Sequence, residues 1–296
     1  MNKNLVKHIK FTAAVFFSAV VITGCTAPQN SLSSLHKNTL ADRGDYFADN
    51  ATSAASQDSR VKFLIMHYTV ESEEEAFKTL STGKVSSHYL VSEHPRTLNS
   101  KPVITQLVAE EKRAWQAGVS NWQGRTNLND SSIGIEIVNK GFSDNKDART
   151  WYPYNQQQID AVARLAQDII KRHNIKPDYV LGHSDIAPLR KQDPGKLFPW
   201  RQLAEKGIGA WPDDATVNKY LAGRSPLAAI NVLTLQQTLK QYGYDTIPQT
   251  GVLDKDTRTI ISAFQMHFRP EDIRGNADAQ TEAIAKALVE KYLTRS

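Results

Sequence analysis

The chain has 296 residues, 40% of them hydrophobic and 23% charged, with 36 basic against 31 acidic side chains and a formal net charge of +5. That length holds a full core plus a second small domain, and the composition is ordinary for a globular protein. The mild charge allows binding to anionic polymers, but no nucleic-acid motif accompanies it, and a single cysteine, Cys25, excludes an intrachain disulfide.

The N-terminus reads as a targeting segment. Lys3, Lys7, His8 and Lys10 precede the apolar run FTAAVFFSAVV at 11–21, which is too short to span a bilayer and fits a signal-peptide core. Ile22-Thr23-Gly24-Cys25 follows and resembles a bacterial lipobox. Such signals are cut before the cysteine, so residues 1–24 are expected to be removed and Cys25 to carry a diacylglycerol. Thr26, rather than Asp, favours the outer membrane, with the protein facing the periplasm. Several acyl chains give stable anchoring. Residues 25–57, rich in Ser, Asn, Asp, Ala and Gln, are expected to form a flexible tether with a coil span of roughly 30 Å.

The folded part then begins. VKFLIM at 61–66 predicts a buried strand ending at His67-Tyr68-Thr69. A helix is predicted over 71–82, with Ala76, Phe77 and Leu80 on one face and Gly83 ending it. SSHYLV at 86–91 and PVITQLV at 102–108 read as strands, joined by a loop holding Pro95, Asn99 and Ser100. In SIGIEIV at 132–138, Ile133, Ile135 and Ile137 face one way and Gly134, Glu136 and Val138 the other. Asn155 caps a predicted helix with Gln158 at the capping-box position, and Ile159, Val162, Ala163, Ala166, Ile169 and Ile170 form its apolar stripe. Tyr179 to Leu181 returns as a strand into His183. A strand–helix–strand unit fits a crossover between parallel strands, which brings Glu136 and His183 to one sheet edge. A closing helix and linker occupy about 211–226, and amphipathic helices at 233–242, 257–268 and 280–292 read as a small separate domain.

The segment LGHSDIAPLRKQDPGKLFPW at 181–200 places a His, a Lys and an Asp on one loop constrained by Pro and Gly. Catalytic zinc takes three protein ligands and leaves a position open. His67, His183 and Asp193 supply that number, although their separation in sequence makes spacing alone a weak signal. Glu136, opposite three isoleucines, is the candidate base, and Lys191 a candidate for stabilising a tetrahedral oxyanion. Taken singly, each residue has a plainer reading: a hydrogen-bonded structural His67, a salt-bridged Glu136, a solvated Lys191. His88 reads as structural or indirect rather than as a ligand, and the five tryptophans as core. Gly182-His183-Ser184-Asp185-Ile186 lacks the second glycine of a nucleophile elbow.

MHYT at 66–69, SSHYLV at 86–91, SIGIEI at 132–137 and GHSDIAPLRKQDPG at 182–195 together resemble the zinc-dependent N-acetylmuramoyl-L-alanine amidases of type 2, relatives of the peptidoglycan recognition proteins. The likeness runs from about Val61 to the C-terminus. It implies one Zn2+ per chain held by His67, His183 and Asp193, catalysis by Glu136 and Lys191, and hydrolysis of the amide between the lactyl group of N-acetylmuramic acid and L-alanine. It also implies an α/β (α+β) fold with a mixed central β-sheet flanked by helices. Trp115-Gln116-Ala117-Gly118 departs from the W-H-A-G of many relatives. His88 and Arg125 are carried as candidate substrate contacts. Residues 58–223 are then the catalytic domain. Residues 224–296 resemble a three-helix peptidoglycan-binding domain through Gly243-Tyr244, Gly251-Val252-Leu253-Asp254, Thr257 and Phe264-Gln265. Expected partners are peptidoglycan or muropeptides and a membrane through Cys25, with a monomer favoured. Two rivals stay open: a peptidoglycan-binding lipoprotein without turnover, and a zinc amidase or peptidase cutting another amide.

Overall fold

A computed structural model describes residues 39–145 and 149–294 of the chain. The expected signal peptide, Cys25 and the start of the tether lie outside the described residues. The described residues fall into two separate units, divided after Asp58. In the first, part of the expected tether is an antiparallel hairpin, Leu40–Asp42 with Phe47–Asp49. Gly44 turns it at φ +88°, its N–H donating to Asp42 Oδ1 at 2.9 Å.

The second unit is built on a five-stranded sheet. Its strands are β1 (Phe63–Tyr68), β2 (Tyr89–Val91), β3 (Thr105–Gln106), β4 (Ser132–Ile137) and β5 (Val180–Gly182), in the spatial order β5-β1-β4-β2-β3. All neighbours pair in parallel except β3, which runs antiparallel to β2. The mixed sheet matches the expected fold class. β1 starts two residues later than its apolar run and carries His67 inside its final pair rather than beyond it. The expected strand at 102–108 is divided. Asn99 and Ser100, at φ +50° and +61°, turn Lys101–Pro102 back onto Thr97–Leu98, and only Thr105–Gln106 joins the sheet.

Helix α1 (Glu73–Thr82) begins in a full capping box between Ser72 and Glu75. Its Ala76 and Leu80 are buried, whereas Phe77 remains 48% exposed. Helix α2 (Gln156–His173) has half a box: Asn155 Oδ1 accepts from Gln158 N–H at 2.8 Å. The Gln158 side chain instead donates inward to the Ser92 and Val138 carbonyls, at 3.0 and 2.8 Å, tying the helix to the sheet. The stripe of α2 buries Ile159, Val162, Ala166 and Ile169 against Leu64, Met66, Ile133, Ile135 and Ile137. Because α2 connects β4 to β5 on the far side of β1, the crossover spans one strand.

The short helices α3 (His183–Ile186), α4 (Trp200–Glu205) and α5 (Asp214–Leu221) lead to α6 (Val232–Tyr242), α7 (Lys255–Phe268) and α8 (Ala279–Tyr292). These last three start from Asn231, Asp254 and Asp278, each accepting from a backbone N–H of the first turn. They do not stand apart from the sheet. Leu235, Leu239, Tyr242, Phe264 and Phe268 share one apolar cluster with Phe63, Ile65, Trp122, Leu181 and Ile186. Alternation along β1 explains this: Leu64 and Met66 face α2, while Phe63 and Ile65 face the C-terminal helices. Leu239→Ala, at a fully buried position, is expected to cost about 2–5 kcal/mol. Tryptophan fluorescence and far-UV circular dichroism should report one coincident melting transition for residues 59–296; two separated transitions would contradict the shared core.

Candidate metal centre and active site

The register of three neighbouring strands assembles the site. Glu136 on β4 pairs level with His67 on β1, and Gly182, the last residue of β5, pairs with Met66. The chain leaves β5 directly into His183. Glu136, His67 and His183 therefore lie side by side at the carboxyl ends of adjacent parallel strands, where α/β sheets place ligands. The loop after α3 returns Asp193 to the same place, with Ser184 N–H donating to the Asp193 carbonyl at 2.8 Å. Tyr154 OH donates to the Pro194 carbonyl at 2.8 Å. Gly195 sits at φ +78°, and a Cβ there would meet the Trp151 ring at 2.5 Å, so the loop closes only with glycine at that position.

Three donor atoms converge. His67 Nδ1 lies 3.0 Å from His183 Nδ1 and 2.9 Å from Asp193 Oδ2, and His183 Nδ1 lies 3.1 Å from the same oxygen. All three residues are buried. The outer nitrogens are already committed: His67 Nε2 faces Gln116 Oε1 at 2.5 Å and His183 Nε2 faces the Ala117 carbonyl at 3.0 Å. Both acceptors are oxygens, so each Nε2 carries the N–H and, in the neutral rings, each Nδ1 turns a lone pair inward. Two such lone pairs and a carboxylate oxygen this close require a cation among them. Two imidazoles and one carboxylate, each with fixed outer partners, fit a divalent metal with an open coordination position.

The titration behaviour agrees. Burial pushes Asp193 up, but the charge and hydrogen bonds of His183 and His67 outweigh it and hold the carboxyl well below its usual range. Burial drives His183 down. It acts on His67 too, yet Glu136 and Asp193 prevail and raise that ring. Burial pushes Glu136 up to about 7, opposed by His67 and assisted by Asp193. Its Oε2 is buried without a hydrogen-bond partner. A carboxyl near neutrality at a cavity wall, with one oxygen unpartnered, is suited to proton transfer.

His67, Glu136, His183, Lys191 and Asp193 all line one cavity of about 400 Å³, with Trp115 at its wall. The five residues singled out in the sequence as ligands, base and cation are therefore brought together. Trp115 is 53% exposed under the Arg113 guanidinium, 4.0 Å from the ring centroid, which corrects its placement in the core. His88 is not in the cavity. It is fully buried, Nδ1 accepting from Gly134 N–H at 3.1 Å and Nε2 donating to the Lys112 carbonyl at 3.2 Å, so it supports strand β4 instead of meeting a substrate. Arg125 lies exposed on the Asn121–Trp122/Arg125–Thr126 hairpin, also outside the cavity lining.

Gln116 and Ala117 are the participants that sequence spacing does not reveal. Gln116 packs over Gly134, where a Cβ would approach Gln116 Cγ to 2.7 Å, and its amide donates to Ser132 Oγ at 2.7 Å while its oxygen faces His67. Asn129 Oδ1 accepts from the N–H groups of both Gln116 and Ala117, at 3.0 and 2.7 Å, fixing the segment. The departure from W-H-A-G marks position 116 as unusual, but the bond to His67 is purely tertiary.

Residues 57–196 match the family model for N-acetylmuramoyl-L-alanine amidase, and residues 229–284 match that for a peptidoglycan binding domain. The chain is 45% identical to N-acetylmuramoyl-L-alanine amidase AmiD of Escherichia coli over 275 residues, 93% of this chain and 96% of that protein. It is 42% identical over 100 residues to 1,6-anhydro-N-acetylmuramyl-L-alanine amidase AmpD of Enterobacter cloacae, covering 34% of this chain and 49% of that one. The solved complex of E. coli AmiD with the substrate anhydro-N-acetylmuramic acid-L-Ala-D-gamma-Glu-L-Lys superposes with a TM-score of 0.82 at 47% identity, covering 86% of this chain and 98% of that chain. AmpDh3 of Pseudomonas aeruginosa gives a TM-score of 0.73 at 44% identity, with 85% and 98% covered. With a site of this geometry and relatives of this extent, the chain belongs to the N-acetylmuramoyl-L-alanine amidase family and is an enzyme of that class.

Proposed function

We propose that the chain is a zinc amidase that releases stem peptides from N-acetylmuramic acid, or from its anhydro form, during turnover or recycling of the cell wall. The observation that carries this is the inward convergence of His67 Nδ1, His183 Nδ1 and Asp193 Oδ2 beside an unpartnered Glu136 carboxyl in the same cavity. Zinc held by those three atoms supplies Lewis acidity toward a carbonyl oxygen and makes water more acidic. Glu136 takes the proton of the water whose oxygen adds to the lactyl carbonyl carbon. It then delivers that proton to the L-alanine nitrogen as the C–N bond breaks. Lys191, which lines the same cavity, supplies the positive charge that would stabilise the oxygen that becomes negative in the tetrahedral intermediate. Gln116 and the Ala117 carbonyl keep both imidazoles in the tautomer that presents Nδ1. A binder without turnover has no use for a carboxyl at a cavity wall with a buried, unpartnered Oε2 and raised to about 7.

Anchoring through lipidated Cys25 to the outer membrane, facing the periplasm, completes the reading, with residues 25–57 linking the anchor to the enzyme. A division at about 223/224 at the level of sequence families, within one packed unit, and peptidoglycan contact by the C-terminal helices are supported by the family match at 229–284. Among the described residues no helix is long and apolar enough to cross a membrane.

Glu136→Gln should lower kcat by about 10²–10⁴ while leaving bound zinc in place; free stem peptide measured by mass spectrometry decides this, and wild-type turnover would remove Glu136 as the base. The same variant tests the titration. A folded value near 7, above the ordinary 4.5, means that the wild-type side chain favours folding below pH 4.5 and that this contribution is lost as pH rises through 7. In zinc-free protein, Glu136→Gln should therefore gain melting temperature relative to wild type as pH rises from 4.5 to 7.5. Saturating zinc, at about 100 times its Kd, should raise the wild-type melting temperature by roughly 5–10 °C. Asp193→Ala should abolish most of that gain, and retention of full zinc affinity would exclude Asp193 from the ligand set. Cys25→Ala should move the protein from the membrane fraction to the soluble fraction on centrifugation of lysed cells; continued sedimentation with membranes would refute the anchor.

A further inference from the structure

We infer that Asp185, gripped by Tyr244 just beyond α6 and by His267 on α7, is a positioning residue for the metal centre, and that the C-terminal region is thereby a working part of it. The inference rests on the proposed role of His183 and Asp193 as metal ligands. Asp185 lies in α3, two residues after His183, and is 1% exposed. Its Oδ2 accepts from Gly182 N–H at 2.7 Å, which pins the start of the turn presenting His183. The same oxygen accepts from His267 Nδ1 at 2.7 Å, and Oδ1 accepts from Tyr244 OH at 2.6 Å. Two of these three donors thus come from the last quarter of the chain, which the sequence separates from the catalytic loop.

Both donors are held rigidly. The His267 ring is stacked between Trp200 and Phe268, with centroids 3.8 and 3.9 Å away and interplanar angles of 14° and 8°. Tyr244 is 1% exposed and meets Trp122 and Phe264 edge-on, at 5.1 and 5.8 Å. Removing either donor leaves a buried carboxylate oxygen short of a partner, so the turn must shift to reach water or another donor. A shift there moves more than His183. Ser184 N–H holds the Asp193 carbonyl at 2.8 Å, so two of the three convergent donors ride on the segment that Asp185 fixes. A role confined to packing predicts lost stability alone; a positioning role predicts altered metal geometry at matched stability.

The test uses the full chain with Tyr244→Phe and His267→Gln, and Leu288→Ala in α8 as a core-destabilising control. Zinc Kd is measured by chelator competition, and the visible absorption of the cobalt-substituted protein reports ligand geometry. Tyr244→Phe and His267→Gln are expected to weaken zinc binding by about tenfold, the lower end for partners beyond the ligands themselves, and to shift the cobalt bands. Leu288→Ala is expected to melt earlier with wild-type Kd and spectrum. Wild-type Kd and cobalt spectrum in both donor variants would overturn the inference. If His267→Gln does not fold, Tyr244→Phe alone decides the matter, because it removes one oxygen and keeps the ring. Failure of the wild-type protein to bind zinc or cobalt would instead overturn the metal reading on which the inference stands.

Discussion

The site depends on two imidazole rings whose outer nitrogens are already spoken for. Gln116 Oε1 and the Ala117 carbonyl accept from His67 and His183, and this leaves both Nδ1 atoms facing inward onto Asp193 Oδ2. Without those acceptors the rings could flip or change tautomer, and three lone pairs would not meet. Much of the surrounding architecture supports that arrangement. Gly134 makes room for Gln116, Asn129 fixes the 116–117 backbone, and Gly195 lets the loop carrying Asp193 close against Trp151.

The sheet gives the second constraint. Parallel pairing of β1 with β4 and β5 sets Glu136, His67 and His183 level with one another. The two faces of β1 then have different work. One packs on α2 and anchors the strand, while the other continues from the core beneath the C-terminal helices up to His67. The same row of side chains thus passes from the apolar core to the cavity within two residues, Ile65 to His67. Burial at that position raises the Glu136 carboxyl, while the charges of His67 and Lys191 favour its ionised form.

The C-terminal helices connect the fold to the chemistry. They complete the core on the site-bearing face of the sheet and reach Asp185 through Tyr244 and His267. A peptidoglycan-binding match in this region and a structural hold on the turn carrying His183 are compatible, since Tyr244 and His267 are buried while Gln237 and Lys240 on α6 and Lys255 and Arg258 on α7 are exposed.

Much of this was legible in the chain itself. Alternation in 132–138 placed Glu136 opposite three isoleucines, the stripe of α2 named its buried face, and the Pro- and Gly-rich loop gathered His183, Lys191 and Asp193. These are local patterns, set by the two-residue period of a strand and the 3.6-residue period of a helix, and a sequence displays them directly. Contacts between distant segments have no such period. The His67–Gln116 bond spans 49 residues, the Asp185–Tyr244 bond 59 and the Asp185–His267 bond 82. For the same reason His88, in a promising motif, proved to be a buried prop for Gly134, and Trp115 proved to be a cavity wall. The sequence by itself determined which side chains could do the chemistry and on which elements they lie. Only the tertiary structure decided how their nitrogens are oriented and what holds the loop in place, because hydrogen-bond direction and burial exist only once the strands, the loop and the C-terminal helices have packed together.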